Sequence, residues 1–246
     1  MEEHRAPSGD GGAAAATDPL TDDPRLPGFF GPAWPAVSGF HRMLQGEGVL
    51  RGLVGPREVG RLWERHLLNS AAVVPFLPAV GTIVDLGSGA GMPGVVAAAM
   101  RPEARVVLLE PMLRRTEWLG EVVRTLGLDN VEVHRGRAEE VVGTFSADAV
   151  TVRAVAALDV LYGWAMPLLR VGGELVALKG ARAEEEIGAS SDTGRAWGAG
   201  VPAVHTVGTV EGVESTRVVT VVRERAVAPP VRGGVAGQRK ARRRRG

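Results

Sequence analysis

The chain predicts an α/β fold: a mostly parallel seven-stranded sheet flanked by helices, with an antiparallel last strand and an N-terminal helical layer. Two observations carry this. Short β-branched runs alternate with helix-length amphipathic segments through residues 81–180, which demands βα crossovers and a parallel sheet. The two apolar runs after residue 200 are joined by only Glu211-Gly212-Val213-Glu214, a length that suits a hairpin and excludes a crossover helix.

Taken in order, residues 1–24 are rich in Ala, Gly, Pro and Asp without apolar periodicity and are expected to be disordered. Residues 25–80 form the helical layer. Apolar positions from Val37 to Val54 predict one helix over about Ala36–Val54, and Pro56 opens a second in which Val59, Leu62, Trp63, His66, Leu67 and Ser70 share a face. His66, on that apolar face, reads as a hydrogen-bonded packing residue. The core, residues 81–225, begins with the strand Ile83-Val84-Asp85-Leu86 and the loop Gly87-Ser88-Gly89-Ala90-Gly91-Met92-Pro93-Gly94, followed by an apolar helix. Arg105–Glu110 is a second strand and Leu113–Leu126 a helix closed by Gly127. Val131–His134 and Asp148–Val152 are the third and fourth strands, Leu158–Leu169 a helix, and Glu174–Lys179 the fifth strand. A polar helix and loop over 184–200 precede the runs Val201–Val210 and Ser215–Val222. Residues 226–246 are rich in Pro, Gly and Arg and are expected to be a disordered basic tail.

Composition narrows the chemistry. With 246 residues and 45% hydrophobic content the chain can bury a sizeable core, and no apolar run is long enough to span a bilayer, so a cytoplasmic protein is expected. Cysteine is absent, which excludes disulfides, thiolate metal sites, iron–sulfur clusters and a cysteine nucleophile; no metal site is expected. The net charge of +1 hides a split: residues 231–246 carry seven basic side chains and no acid, leaving residues 1–230 at −6. Those seven charges suit non-specific phosphate binding.

The glycine loop selects the ligand class. Its glycines allow positive φ and close approach of backbone to a nucleotide-like ligand. Gly89 to Gly94 matches G-x-G-x-x-G, the fingerprint of dinucleotide binding. Against a dinucleotide, Asp85 just before the first glycine would face a pyrophosphate with the wrong sign. S-adenosylmethionine, bringing an ammonium and a sulfonium, suits that carboxylate better. Gly87 and Gly89 line such a site, and Glu110, ending the second strand, is placed for the ribose hydroxyls.

Four motifs in order, Asp85 to Gly94, Arg137-Ala138-Glu139, Val152-Arg153-Ala154-Val155-Ala156 and Ala177-Leu178-Lys179-Gly180, preceded by Glu64-Arg65-His66-Leu67-Leu68-Asn69-Ser70, resemble the RsmG (GidB) family of bacterial small-subunit rRNA methyltransferases over about residues 36–225. The resemblance implies a class I S-adenosylmethionine-dependent methyltransferase fold, Rossmann-like. It also implies methyl transfer to N7 of a single guanine (527) in the decoding-region loop of 16S rRNA. The family's cofactor contacts fall on Gly87, Met92, Ala138, Glu139 and Arg153. Asn69 stands where the family more often has Asp, and the arginine-rich tail departs from the family's usual end.

The chemistry fits. Guanine N7 carries an in-plane lone pair and no proton, so it needs alignment and no base. Arg153 is the candidate orienting residue, its planar donors suiting cofactor, guanine or phosphate. Lys179, Arg114, Arg115 and Arg65 are the candidate RNA contacts. The expected partner is 16S rRNA or an assembling small subunit, met by a monomer without a membrane. An NAD-dependent oxidoreductase, a methyltransferase of another RNA or of a small molecule, and a non-catalytic RNA-binding protein are the competing readings.

Overall fold

The computed structural model describes residues 18–227 apart from Ala154. The basic tail from residue 228 lies outside the described residues, as does most of the acidic N-terminus. Of the segment expected to be disordered, residues 18–24 fall within the described residues. Residues 18–24 are ordered turns because Asp18, 2% exposed, accepts the Trp63 backbone N–H at 2.8 Å.

The sheet has the order β3-β2-β1-β4-β5-β7-β6. Its strands are β1 Gly81–Leu86, β2 Ala104–Glu110, β3 Val131–Arg135, β4 Ala147–Arg153, β5 Leu169–Lys179, β6 Ala203–Val207 and β7 Thr216–Val222. β1 to β5 pair in parallel, and β7 enters antiparallel between β5 and β6, as the short 211–214 connection requires. Adjacent apolar residues divide between the faces with the two-residue period of a strand. Ile83, Val106, Ala149, Val176 and Val218 join one core; their neighbours Val84, Val107, Val150, Leu175 and Val219 join the other.

On the first face lie α4 (Gly94–Met100), α5 (Leu113–Leu126) and the N-terminal layer, which comprises α1 (Arg25–Phe30), α2 (Trp34–Glu47) and α3 (Asn69–Ala71). On the second lie α6 (Leu158–Ala165) and α7 (Ala183–Ala196). Phe40 and Trp63 of the layer share one core with Val95 of α4 and Trp118 of α5, so the layer has no separate interior. α5 ends at Gly127, a left-handed cap with φ 63°.

Three elements differ from the sequence expectation. α2 stops at Glu47 because the chain folds back, Leu53 and Val54 both donating to the Gly48 carbonyl at 2.8 and 3.2 Å. The helix expected from Pro56 is composite: a 3₁₀ turn Val59–Arg61, a π-helix Trp63–Leu68, then α3. Its wider turn still buries Leu62, Trp63, Leu67 and Ser70, and π segments are often found at functional sites. The helix Leu158–Leu169 ends early in a 3₁₀ turn, Met166–Leu168, with Pro at its start, and β5 begins at Leu169. Among the described residues no helix is long and apolar enough to cross a membrane.

Candidate functional site

The strand order reverses at β1, which lies between β2 and β4, and ligands of α/β folds bind at the carboxyl ends of the strands beside such a switch. A cavity of about 640 Å³ opens there, within the size range of small-molecule sites. The loop after β1 forms its floor. Gly87 has φ 73°, and a Cβ there would stand 3.0 Å from a Val155 methyl, so both backbone angle and space favour glycine. The loop is pinned from α5 by the buried Trp118, whose Nε1 donates to the Ala90 carbonyl at 2.9 Å.

Glu110 ends β2 and is 2% exposed, yet it lines the cavity. Its two oxygens accept the backbone N–H groups of Gly89 at 2.9 Å and Met112 at 3.0 Å. Each keeps a further lone pair, enough to accept from vicinal hydroxyls. Arg115, at 3.8 Å from Glu110, also lines this cavity, while Arg114 is exposed outside it. Met92, Ala138 and Glu139 complete the wall, and the Trp164 indole donates to Glu139 at 3.0 Å.

Asp85 behaves otherwise than expected. Its carboxylate is fully buried beneath the loop and accepts the Gly94 N–H at 3.0 Å, so it does not face the cavity. Oδ1 has no hydrogen-bond partner. Burial pushes its pKa up to about 7, opposed by the nearby Ser88 hydroxyl, the Gly94 N–H and the charge of Arg153. The carboxylate thus takes the N–H at the start of α4 that a pyrophosphate would otherwise use, which is the physical reason the loop suits a cation better.

Arg153 ends β4 and lines both this cavity and a second one of about 580 Å³ beside it. One guanidinium nitrogen donates to the Arg65 carbonyl at 3.3 Å and lies 3.0 Å from Nδ1 of His66; the other reaches the Met92 sulfur at 3.7 Å. The two cavities share Glu58, His66, Arg153 and Val155. Burial lowers the Arg153 pKa, with Asp85 and Glu58 countering, but a guanidinium stays charged.

Lys179, expected as an RNA contact, is engaged within the protein. Its side chain is only 8% exposed, and its ammonium donates to the Ala156 carbonyl at 2.9 Å and to Glu186 at 2.7 Å, so its charge is already matched. Arg65 is 52% exposed at the second cavity, 3.5 Å from Glu58. Asn69 donates to the Thr216 hydroxyl at 3.0 Å. Sequence reasoning missed Glu58 and Trp164 and ranked a packing role for His66 above that of a base; a helical face signalled His66, but nothing local signals the other two.

The model of the family described as rRNA small subunit methyltransferase G matches residues 34–212. A ribosomal RNA small subunit methyltransferase G from Thermobifida fusca is 58% identical over 65% of this chain and 67% of its own. One from Salinispora tropica is 45% identical over 89% and 93%. In fold, the chain resembles a SAM-dependent O-methyltransferase from Thermotoga maritima, with TM-score 0.52 and 13% identity over 65% of this chain and 66% of that one. With the family matched across most of its length and the glycine loop, Glu110 and Arg153 gathered at one sheet edge, the chain belongs to the rRNA small subunit methyltransferase G family.

Proposed function

We propose that the chain methylates N7 of a single guanine in 16S rRNA, in naked RNA or in an assembling small subunit, as a cytoplasmic monomer. Family membership carries the coarser statement, S-adenosylmethionine-dependent methylation of small-subunit rRNA. The observation that supports the finer one is the pair of adjoining cavities with Arg153 in their common wall: cofactor on one side, acceptor base on the other.

The first cavity fits the cofactor. Glu110 has lone pairs left for ribose hydroxyls, Met92, Leu109 and Ala138 offer apolar wall, and the buried Asp85 favours a cation above the loop. When bound, S-adenosylmethionine supplies a methyl group activated by a sulfonium. The chain's own task is alignment. Guanine N7 needs no base to remove a proton, so Arg153, held between His66 and Met92, serves as an orienting donor whose second nitrogen has only the weak Met92 sulfur contact to give up. Arg65 at the second cavity and the basic tail would add phosphate contacts that position without reading sequence.

The test is single-turnover methyl transfer to small subunits from a strain lacking this protein, with mapping of the modified base, for wild type, Arg153→Ala and Arg153→Lys. Arg153→Ala should lower methyl transfer far more than RNA affinity, and Arg153→Lys should rescue poorly because an ammonium lacks the planar fork. A methyl group on another atom would overturn the assignment, and full activity of the alanine variant would remove Arg153 from the site.

A further inference from the structure

One polar cluster ties the N-terminal layer to the end of β4. His66, in the π-helix, has a side chain 13% exposed, with Nδ1 3.0 Å from the Arg153 guanidinium and Nε2 3.0 Å from a Glu58 oxygen. A guanidinium has donors only, so Nδ1 must be the acceptor and the ring proton must sit on Nε2, donating to Glu58. The charged groups around the ring are Glu58 from the turn before the π-helix, Arg65 from the same helix and Arg153 from β4. Asp85 stands behind Arg153, and the Lys179–Glu186 pair lines the same second cavity.

We propose that His66 is a positioning residue for methyl transfer: its neutral Nε2–H tautomer, pinned by Glu58, holds the Arg153 fork at the boundary of the two cavities. The inference rests on the reading of Arg153 as the orienting group. A protonated ring has no lone pair for Arg153 and carries a like charge, so acid releases the arginine. Burial, then the charge of Arg153, push His66 below its ordinary value, with Glu58 opposing, so the clamp is closed at neutral pH. The rate should be level above the His66 pKa and fall tenfold per pH unit below it.

The test is single-turnover methylation of unmodified small subunits between pH 5 and pH 8 for wild type, His66→Asn and His66→Gln. Asparagine puts a carbonyl where Nδ1 stood and keeps an acceptor for Arg153; glutamine reaches the Nε2 position and leaves Arg153 without one. His66→Gln should lose about 100-fold in maximal rate, the scale of a misplaced group, at unchanged half-saturating subunit concentration. His66→Asn should stay within about tenfold of wild type and lose the acid limb. Equal rates for the two variants, or an unchanged acid limb in His66→Asn, would overturn the proposal. Because either variant could fail to fold, ¹⁵N NMR of the histidine-labelled wild type at pH 7.5 decides independently, the ring being assigned by elimination against variants of the other four histidines. An unprotonated Nδ1 with a protonated Nε2 is expected, and an Nδ1–H tautomer or an imidazolium would refute the clamp. Failure of the underlying reading shows separately, as a wild-type methyl group mapped away from guanine N7.

Discussion

Replacing Asp85 by asparagine tests the electrostatics beneath the glycine loop. The carboxylate is fully buried, one oxygen accepts the Gly94 N–H, the other has no partner, and its pKa rises from 3.8 to about 7. For an acid whose folded pKa is raised, the native state binds more protons than the unfolded chain between the two values, so stability falls as pH rises through that window and is level above it. One pKa unit is worth about 1.4 kcal/mol, and the group is half-ionised at its folded pKa, so between pH 5 and pH 7 the wild type should lose about 2 kcal/mol through it. Asp85→Asn keeps an acceptor for Gly94 and cannot ionise. It buries an unpaired amide N–H in place of an unpaired carboxyl oxygen, a cost that does not vary with pH. Urea unfolding of both proteins at pH 5, 6, 7 and 8 without cofactor should therefore give a stability difference that moves in favour of the variant by about 2 kcal/mol up to pH 7 and levels off by about pH 8. Parallel curves for the two proteins would refute the raised pKa of Asp85.

Other perturbations address single contacts. Gly87→Val forces a β-branched residue to φ 73° with its Cβ 3.0 Å from Val155, so calorimetric binding of S-adenosylmethionine should vanish while the circular dichroism spectrum stays that of a folded protein. Glu110→Ala should weaken cofactor binding by about 1–3 kcal/mol and also lower the melting temperature, since the Gly89 and Met112 N–H groups lose their acceptor; Glu110→Gln should recover part of both. An affinity unchanged within error in the alanine variant would place Glu110 outside the site. Lys179→Ala should cost about 1–3 kcal/mol in denaturant titration by removing the ammonium's hydrogen bonds to Glu186 and the Ala156 carbonyl, and leave the salt slope of RNA binding as it was. A slope reduced by about one would restore Lys179 as a phosphate contact.

The seven strands, the antiparallel end and the glycine loop were legible because each is written in neighbouring residues. Pairs such as Ile83-Val84 and Val106-Val107 feed opposite cores, and that two-residue period is a local property of the chain. The same holds for the helix Leu113–Leu126, whose cap at Gly127 follows from glycine's freedom at positive φ. Gly87, Gly89, Met92, Glu110, Ala138, Glu139 and Arg153 meet in one cavity because each stands at or just beyond the carboxyl end of a strand, and a parallel sheet brings those ends together.

What polar side chains do there was decided only by the tertiary structure. Asp18 caps the backbone of Trp63 across 45 residues, which orders a stretch whose composition alone reads as disordered. Arg153 meets His66 across 87 residues, and Lys179 turns to Glu186 and Ala156 instead of to solvent. Asp85 points under its loop because Gly94 offers an N–H there. Periodicity records which face of an element is apolar, a consequence of local geometry that any one segment carries. A hydrogen bond needs a donor and an acceptor within about 3 Å, and which segments come that close is settled only when the layers pack.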